Sequence, residues 1–98
     1  METKLTALQT TLLERIITNE FYEQGFESVL WQDVLMDSTG WEPQKFAGVL
    51  VSLRNKHIIT TNDNMVALTL TGKVYVCEHY EVDINGRLIN GLVRMEGK

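Results

Sequence analysis

Leu5, Leu8, Leu12, Leu13, Ile16, Ile17 and Phe21 recur at spacings of three, four or one, which is a single apolar stripe on a helix of 3.6 residues per turn. Thr6 and Gln9 have the spacing of a capping box for its start, and Gly25 suits its C-terminal cap; Glu14, Glu20 and Glu23 then face solvent. The next stretch, "FESVLWQDVLMDSTG", is less periodic. Val29 and Leu30 suit a very short strand, and Asp33 to Met36 a short helix ended by Gly40, with Ser38 and Thr39 supplying turn chemistry. Pro43, the only proline, sits where a first-turn proline is tolerated and opens "PQKFAGVLVSLRNK". Phe46, Val49, Leu50 and Leu53 form the apolar face of that third helix. "HIIT" and "MVAL" are β-prone runs joined by "TNDN", whose Asn and Asp suit a hairpin turn. Thr69 can cap a further helix, "LTGKVYVCEHY". Beyond it, Asn85-Gly86 signals a turn, but the alternation around it is too short to define strands. The pattern predicts an α+β domain over residues 1–80, with 81–98 a loose tail or short hairpin.

Helix, short strand, helix, turn, helix, two-stranded hairpin, helix: this order, with the stretch from Trp31 to Gly72, resembles the winged helix-turn-helix superfamily, particularly bacterial regulators of the multiple-antibiotic-resistance type. In that family the recognition helix ends in a leucine, polar or basic residues, a glycine and an aliphatic pair. Leu53, Arg54, Asn55, Lys56, His57, Ile58 and Ile59 follow the same course here. The second wing strand closes on leucine-threonine, two residues and a glycine, as do Leu68, Thr69, Leu70, Thr71 and Gly72. The resemblance implies a three-helix core with a small β-hairpin wing and a C-terminal helix, and binding of double-stranded DNA, commonly at paired half-sites. Two departures stand out. His57 replaces the glycine that such turns use for positive φ, and the short wing tip carries Asp63 and no arginine.

Charge alters this picture. The chain of 98 residues has a net charge of −4, whereas nucleic-acid binders draw most of their affinity from neutralising phosphates. The imbalance is local: residues 1–41 hold two basic against seven acidic side chains, net −5, and residues 42–98 hold seven against six, net +1. The acidity therefore belongs to the first half and the candidate reading helix to the second. No apolar run approaches the ~20 residues that span a bilayer, and "METKLTALQTT" lacks the core of a signal peptide. A single cysteine, Cys77, fits a reducing cytoplasm.

On a helical wheel Gln44, Gly48, Ser52 and Asn55 lie opposite the Phe46–Leu50–Leu53 face, with Lys45 beside them. Gln44 and Asn55 suit bidentate bonds to adenine, Ser52 a base or phosphate, and Lys45 phosphate or guanine. Arg54 and Lys56, at the helix's C-terminal end, suit phosphate contact or the helix dipole equally. Gly48 costs about 1 kcal/mol inside a helix; close packing of a neighbouring helix beside Ala47 and Gly48 accounts for it best, and approach to a DNA backbone is the alternative. Trp31 and Trp41 are expected to anchor the short second helix to the core.

Catalysis has little to build on. Cys77 and His79, two apart on a helix, point to different faces, and no second pair exists to complete a zinc site. No base-and-orienter set accompanies Cys77, and there is no phosphate-cradling glycine loop. The sequence thus predicts a non-enzymatic protein without metal or cofactor. It is a small DNA-binding regulator that inserts helix 43–56 into the major groove, or else an acidic interaction module for a basic protein partner. A homodimer is expected through helix 1 and residues 70–98.

Overall fold

The computed structural model describes residues 4–95. Helix α1 (Ala7–Ile17) begins on the expected capping box: the Thr6 hydroxyl accepts from the Gln9 backbone N–H at 3.2 Å, and the Gln9 side chain accepts from the Thr6 N–H at 2.9 Å. It ends a turn earlier than the apolar stripe suggests. Thr18 turns its hydroxyl back onto the Glu14 carbonyl at 2.6 Å, and Asn19 accepts from the Phe21 N–H. Such side chains offer the backbone an alternative to the helical ladder. Phe21 is left exposed beyond the helix end.

Gly25 does not cap α1. With φ +65° it opens a single 3₁₀ turn (Gly25–Glu27), where a Cβ would stand 1.9 Å from the Asn85 carbonyl oxygen. Both the backbone sign and the space demand glycine. Strand β1 (Leu30–Trp31) follows, then α2 (Gln32–Thr39), which stops at Gly40 with φ +69°. Helix α3 (Pro43–Asn55) has Pro43 in its first turn and buries Phe46, Val49, Leu50 and Leu53. Strands β2 (Ile59–Asn62) and β3 (Met65–Leu68) form a hairpin turned by Asp63 and Asn64, and β1 adds to its other edge. The result is a three-stranded antiparallel sheet in the order β1-β3-β2. Helix α4 (Leu70–His79) is capped by Thr69, whose hydroxyl accepts from the Gly72 N–H.

The fold is therefore α+β: four helices and one small sheet. α1, α2 and α3 pack together, and Leu12, Leu13, Ile16, Leu35 and Leu53 meet Leu30, Ile58, Ile59 and Val66 in a single core that α4 closes with Val76. No helix among the described residues is long and apolar enough to cross a membrane.

α3 and α4 meet at a compact joint. Lys56 and His57 close α3 in a Schellman arrangement: the His57 N–H donates to the Arg54 carbonyl and the Ile58 N–H to that of Leu53. His57 takes φ +65°, the conformation that glycine supplies in the resembling family. Thr69 places its hydroxyl between the carbonyls of His57 and Ile58. A Cβ on Gly72 would lie 2.0 Å from the Ile58 carbonyl oxygen, so α4 sits directly on that backbone.

Glu14 corrects the sequence expectation most sharply. It is 8% exposed rather than solvent-facing. The Tyr80 hydroxyl donates to its carboxylate at 2.8 Å, and Arg94 grips both oxygens at 2.5 and 2.8 Å. Burial pushes this carboxyl's pKa up, but the bonds from Arg94 and Tyr80 and the guanidinium charge outweigh it, leaving the pKa below its ordinary value. The clasp holds residues 80–95 against the body. Within that segment Asn85-Gly86 turns the chain, Val82 bridges to Leu88 and Tyr80 to Arg94, and the buried Tyr22 hydroxyl donates to the Gly86 carbonyl. The tail is thus folded down as far as Met95; residues 96–98 of the 81–98 segment lie outside the described residues.

Candidate nucleic-acid interface

The apolar face of α3 is consumed by the core, which fixes what the helix can show outward. Gln44, Lys45, Ala47, Gly48, Val51, Arg54 and Asn55 are exposed. Positions 44, 48, 51 and 55 advance by four, three and four, one line down the outer side of the helix. At 1.5 Å per residue, α3 is about 20 Å long. Its wall carries Gln44, Ala47, Gly48, Val51 and Asn55, with Lys45 and Arg54 near its two ends.

Lys45 lies over the half-buried Trp41, its Nζ 5.1 Å from the ring centroid. That contact steadies the ammonium while leaving it exposed. Arg54 reaches across to the hairpin, its Nη1 donating to the Thr61 hydroxyl at 3.3 Å. From Pro43 to Asn62 the chain holds Lys45, Arg54 and Lys56 and no acidic residue.

Two of the seven residues expected to contact DNA belong elsewhere. Ser52 is half-buried, accepts from the Gln9 side-chain amide at 3.0 Å and donates to the Val49 carbonyl. Lys56 is half-buried too, with its ammonium on the Lys4 carbonyl at 2.5 Å and the Gln9 amide oxygen at 2.9 Å. One residue removes both. Gln9 caps α1 with its amide oxygen and, on the same edge, clamps the end of α3. Ideal wheel spacing placed Ser52 outward because it ignored α1, which covers that flank.

Gly48 departs from expectation in the other direction. Nothing lies within 4 Å of where its Cβ would be, and Ala47 is exposed, so among the described residues no helix packs there. The cost of a mid-helix glycine, about 1 kcal/mol relative to alanine, has no return inside the monomer.

The hairpin tip is fastened rather than free. The Gln32 N–H donates to the Asn64 carbonyl at 2.7 Å, the Gln32 side chain to that of Asp63 at 3.0 Å, and Asn64 reaches the Asp33 carboxylate. Asp63 takes φ +56° at the tip. Trp41 packs against the core as expected, but Trp31 is 52% exposed. On the outer face of the sheet Trp31 stands opposite Met65, since its β1 neighbour Leu30 takes the inward position. Alternation along a strand allows only one of the two inside.

Among the described residues no group of three or more His, Cys, Asp or Glu side chains is placed to hold a metal ion. His79 stacks on Tyr75, with ring centroids 3.9 Å apart, and its Nδ1 lies 2.9 Å from the Tyr75 carbonyl. Comparison with family models, curated proteins and solved structures returns no match to this chain.

Proposed function

We propose that this domain is a winged helix that binds double-stranded DNA as a small regulator, with α3 in the major groove. The observation that carries the reading is the acid-free outer wall of α3: Gln44, Lys45, Gly48, Arg54 and Asn55 exposed in one band, on a helix of the length and diameter a major groove admits. A hairpin follows α3 directly, and β1, between α1 and α2, pairs with it, an order that agrees with the family the sequence resembles. Gln44 and Asn55 are the base-reading groups, Lys45 and Arg54 the phosphate contacts, and Gly48 the point of closest approach.

Affinity should fall with salt in proportion to the phosphates neutralised, by about 0.9 in log–log slope for each. In a fluorescence-anisotropy salt series on a mixed-sequence duplex, Lys45→Ala and Arg54→Ala should each weaken binding and flatten the slope by about one contact. Lys56→Ala should leave the slope alone, because its ammonium already serves Lys4 and Gln9. Unchanged titrations for Lys45→Ala and Arg54→Ala would remove the DNA assignment.

A second reading has its own support. Glu20, Glu23 and Glu27 are exposed between α1 and β1, and the fastened hairpin tip presents Asp63 where a DNA-binding wing of the resembled type presents a basic side chain. These suit an interaction module for a basic protein. An amide chemical-shift titration with duplex separates the two: shifts clustered over 43–56 favour DNA, and silence there favours the protein partner.

A further inference from the structure

α4 is apolar on two sides. Its inner side packs Gly72 and Val76 into the fold. Its outer side carries Leu70, 77% exposed, Val74, 48% exposed, and the exposed Cys77. Their spacing of four and then three is the seam of a helix pair rather than a scatter of surface apolar residues. A helix with a second apolar stripe, opposite the one it buries in its own core, has a face suited to a partner. The next residue on that line, Glu81, follows Tyr80, where the backbone is already extended, so the seam closes there.

We propose that α4 pairs with α4 of a second copy of this chain, side by side and parallel, about a two-fold axis running along the seam. The charges beside the seam select both occupant and direction. Lys73 immediately precedes Val74 on one flank, and Glu78 immediately follows Cys77 on the other. In a parallel pair each flanking residue meets the opposite flank of its neighbour five positions on, so Lys73 of each copy faces Glu78 of the other. An antiparallel pair would set lysine flank against lysine flank and glutamate against glutamate. Among the described residues the Lys73 ammonium meets the exposed Glu27 in a loose contact at 3.9 Å, a surface pairing weak enough to be exchanged.

α1, the other surface expected to dimerise, buries Leu12, Leu13, Ile16 and Ile17 and leaves Leu8 as the one exposed large apolar residue within the helix. Three side chains per copy make a small interface, below the ~800 Å² per partner of a stable one. The pairing is therefore weak and depends on concentration. The domain already holds each helix, so no folding cost is added on association.

The parallel arrangement sets the two Cys77 side chains opposite each other, within reach of a disulfide. Sedimentation equilibrium without DNA should show a monomer–dimer equilibrium. An added oxidant such as diamide, which takes up the two electrons and two protons the thiols lose, should trap a Cys77-linked dimer. Val74→Glu should raise the dissociation constant at least about tenfold and abolish trapping, with an unchanged melting temperature showing that the monomer is intact. Lys73→Glu and Glu78→Lys should each weaken the dimer, and the double exchange should restore it. A monomer at all concentrations, a dimer indifferent to Val74→Glu, or a failure of the double exchange to rescue would each overturn the proposal. None of these measurements involves DNA, so their failure would not bear on the function of α3.

Discussion

The joint between α3 and α4 and the clasp that holds residues 80–95 fasten two parts of the molecule with opposite materials. The joint is backbone: a left-handed His57, two carbonyls offered to one threonine hydroxyl, and a glycine with no room for a methyl group. The clasp is side chain and charge, Glu14 gripped by Arg94 and Tyr80 across 80 and 66 residues of sequence. Backbone packed on backbone cannot yield, whereas side chains can re-form their bonds with water. Damage to the joint should therefore cost more than damage to the clasp. Gly72→Ala tests this most severely. Its Cβ would be driven against the Ile58 carbonyl, and overpacking typically costs about 1–3 kcal/mol, more when rigid backbone must move. The expected loss is about 3 kcal/mol, seen as a fall of more than about 10 °C in melting temperature.

The clasp should answer to pH as well as to mutation. Glu14→Gln removes the charge from a buried carboxylate whose partner, Arg94, is more than half exposed and stays solvated. The expected cost is about 2 kcal/mol, within the range for hydrogen bonds to charged groups and discounted for that exposure. Because folding lowers the Glu14 pKa below its ordinary value of 4.5, its contribution is complete above that pH and is lost as pH falls through the folded value. Denaturant titrations from pH 7 to pH 3 should show the wild type converging on Glu14→Gln as acid removes the difference between them. A constant gap across that range would mean that Glu14 acts by packing alone.

These two regions also mark how much could be read from the chain itself. Thr6–Gln9, Gly40, Pro43, the hairpin and Thr69 were legible because each signal and its structural consequence lie within a few residues. His57 was marked only through the family resemblance, as a departure at the glycine position of the turn, and it takes the positive φ nonetheless. Glu14 was not legible: it sits at the edge of the α1 stripe, where periodicity leaves a residue's burial undecided, and its partners are far along the chain. Ser52 and Lys56 failed for a related reason. Their wheel positions were sound for an isolated α3, but Gln9, 43 and 47 residues away, claims them both. The exposed band Gln44, Lys45, Arg54 and Asn55 was visible because, among the described residues, nothing distant covers it.

The smallest expected effect has the opposite sign and isolates the turn within the joint. His57 holds a left-handed conformation that costs an L-residue about 1–2 kcal/mol. Glycine enters it without that penalty but loses about 0.5–1 kcal/mol more conformational entropy on folding. The imidazole is exposed, so its removal opens no cavity. His57→Gly should therefore stabilise the domain by about 0.5–1 kcal/mol, a rise of several degrees in melting temperature. In Gly72→Ala the same substitution should recover only that small increment, because α4 is still pushed off the Ile58 carbonyl whichever residue makes the turn. A larger recovery in the double variant would show that the strain at His57 and the crowding at Gly72 relieve one another, and that the joint is a single yielding unit rather than two rigid contacts.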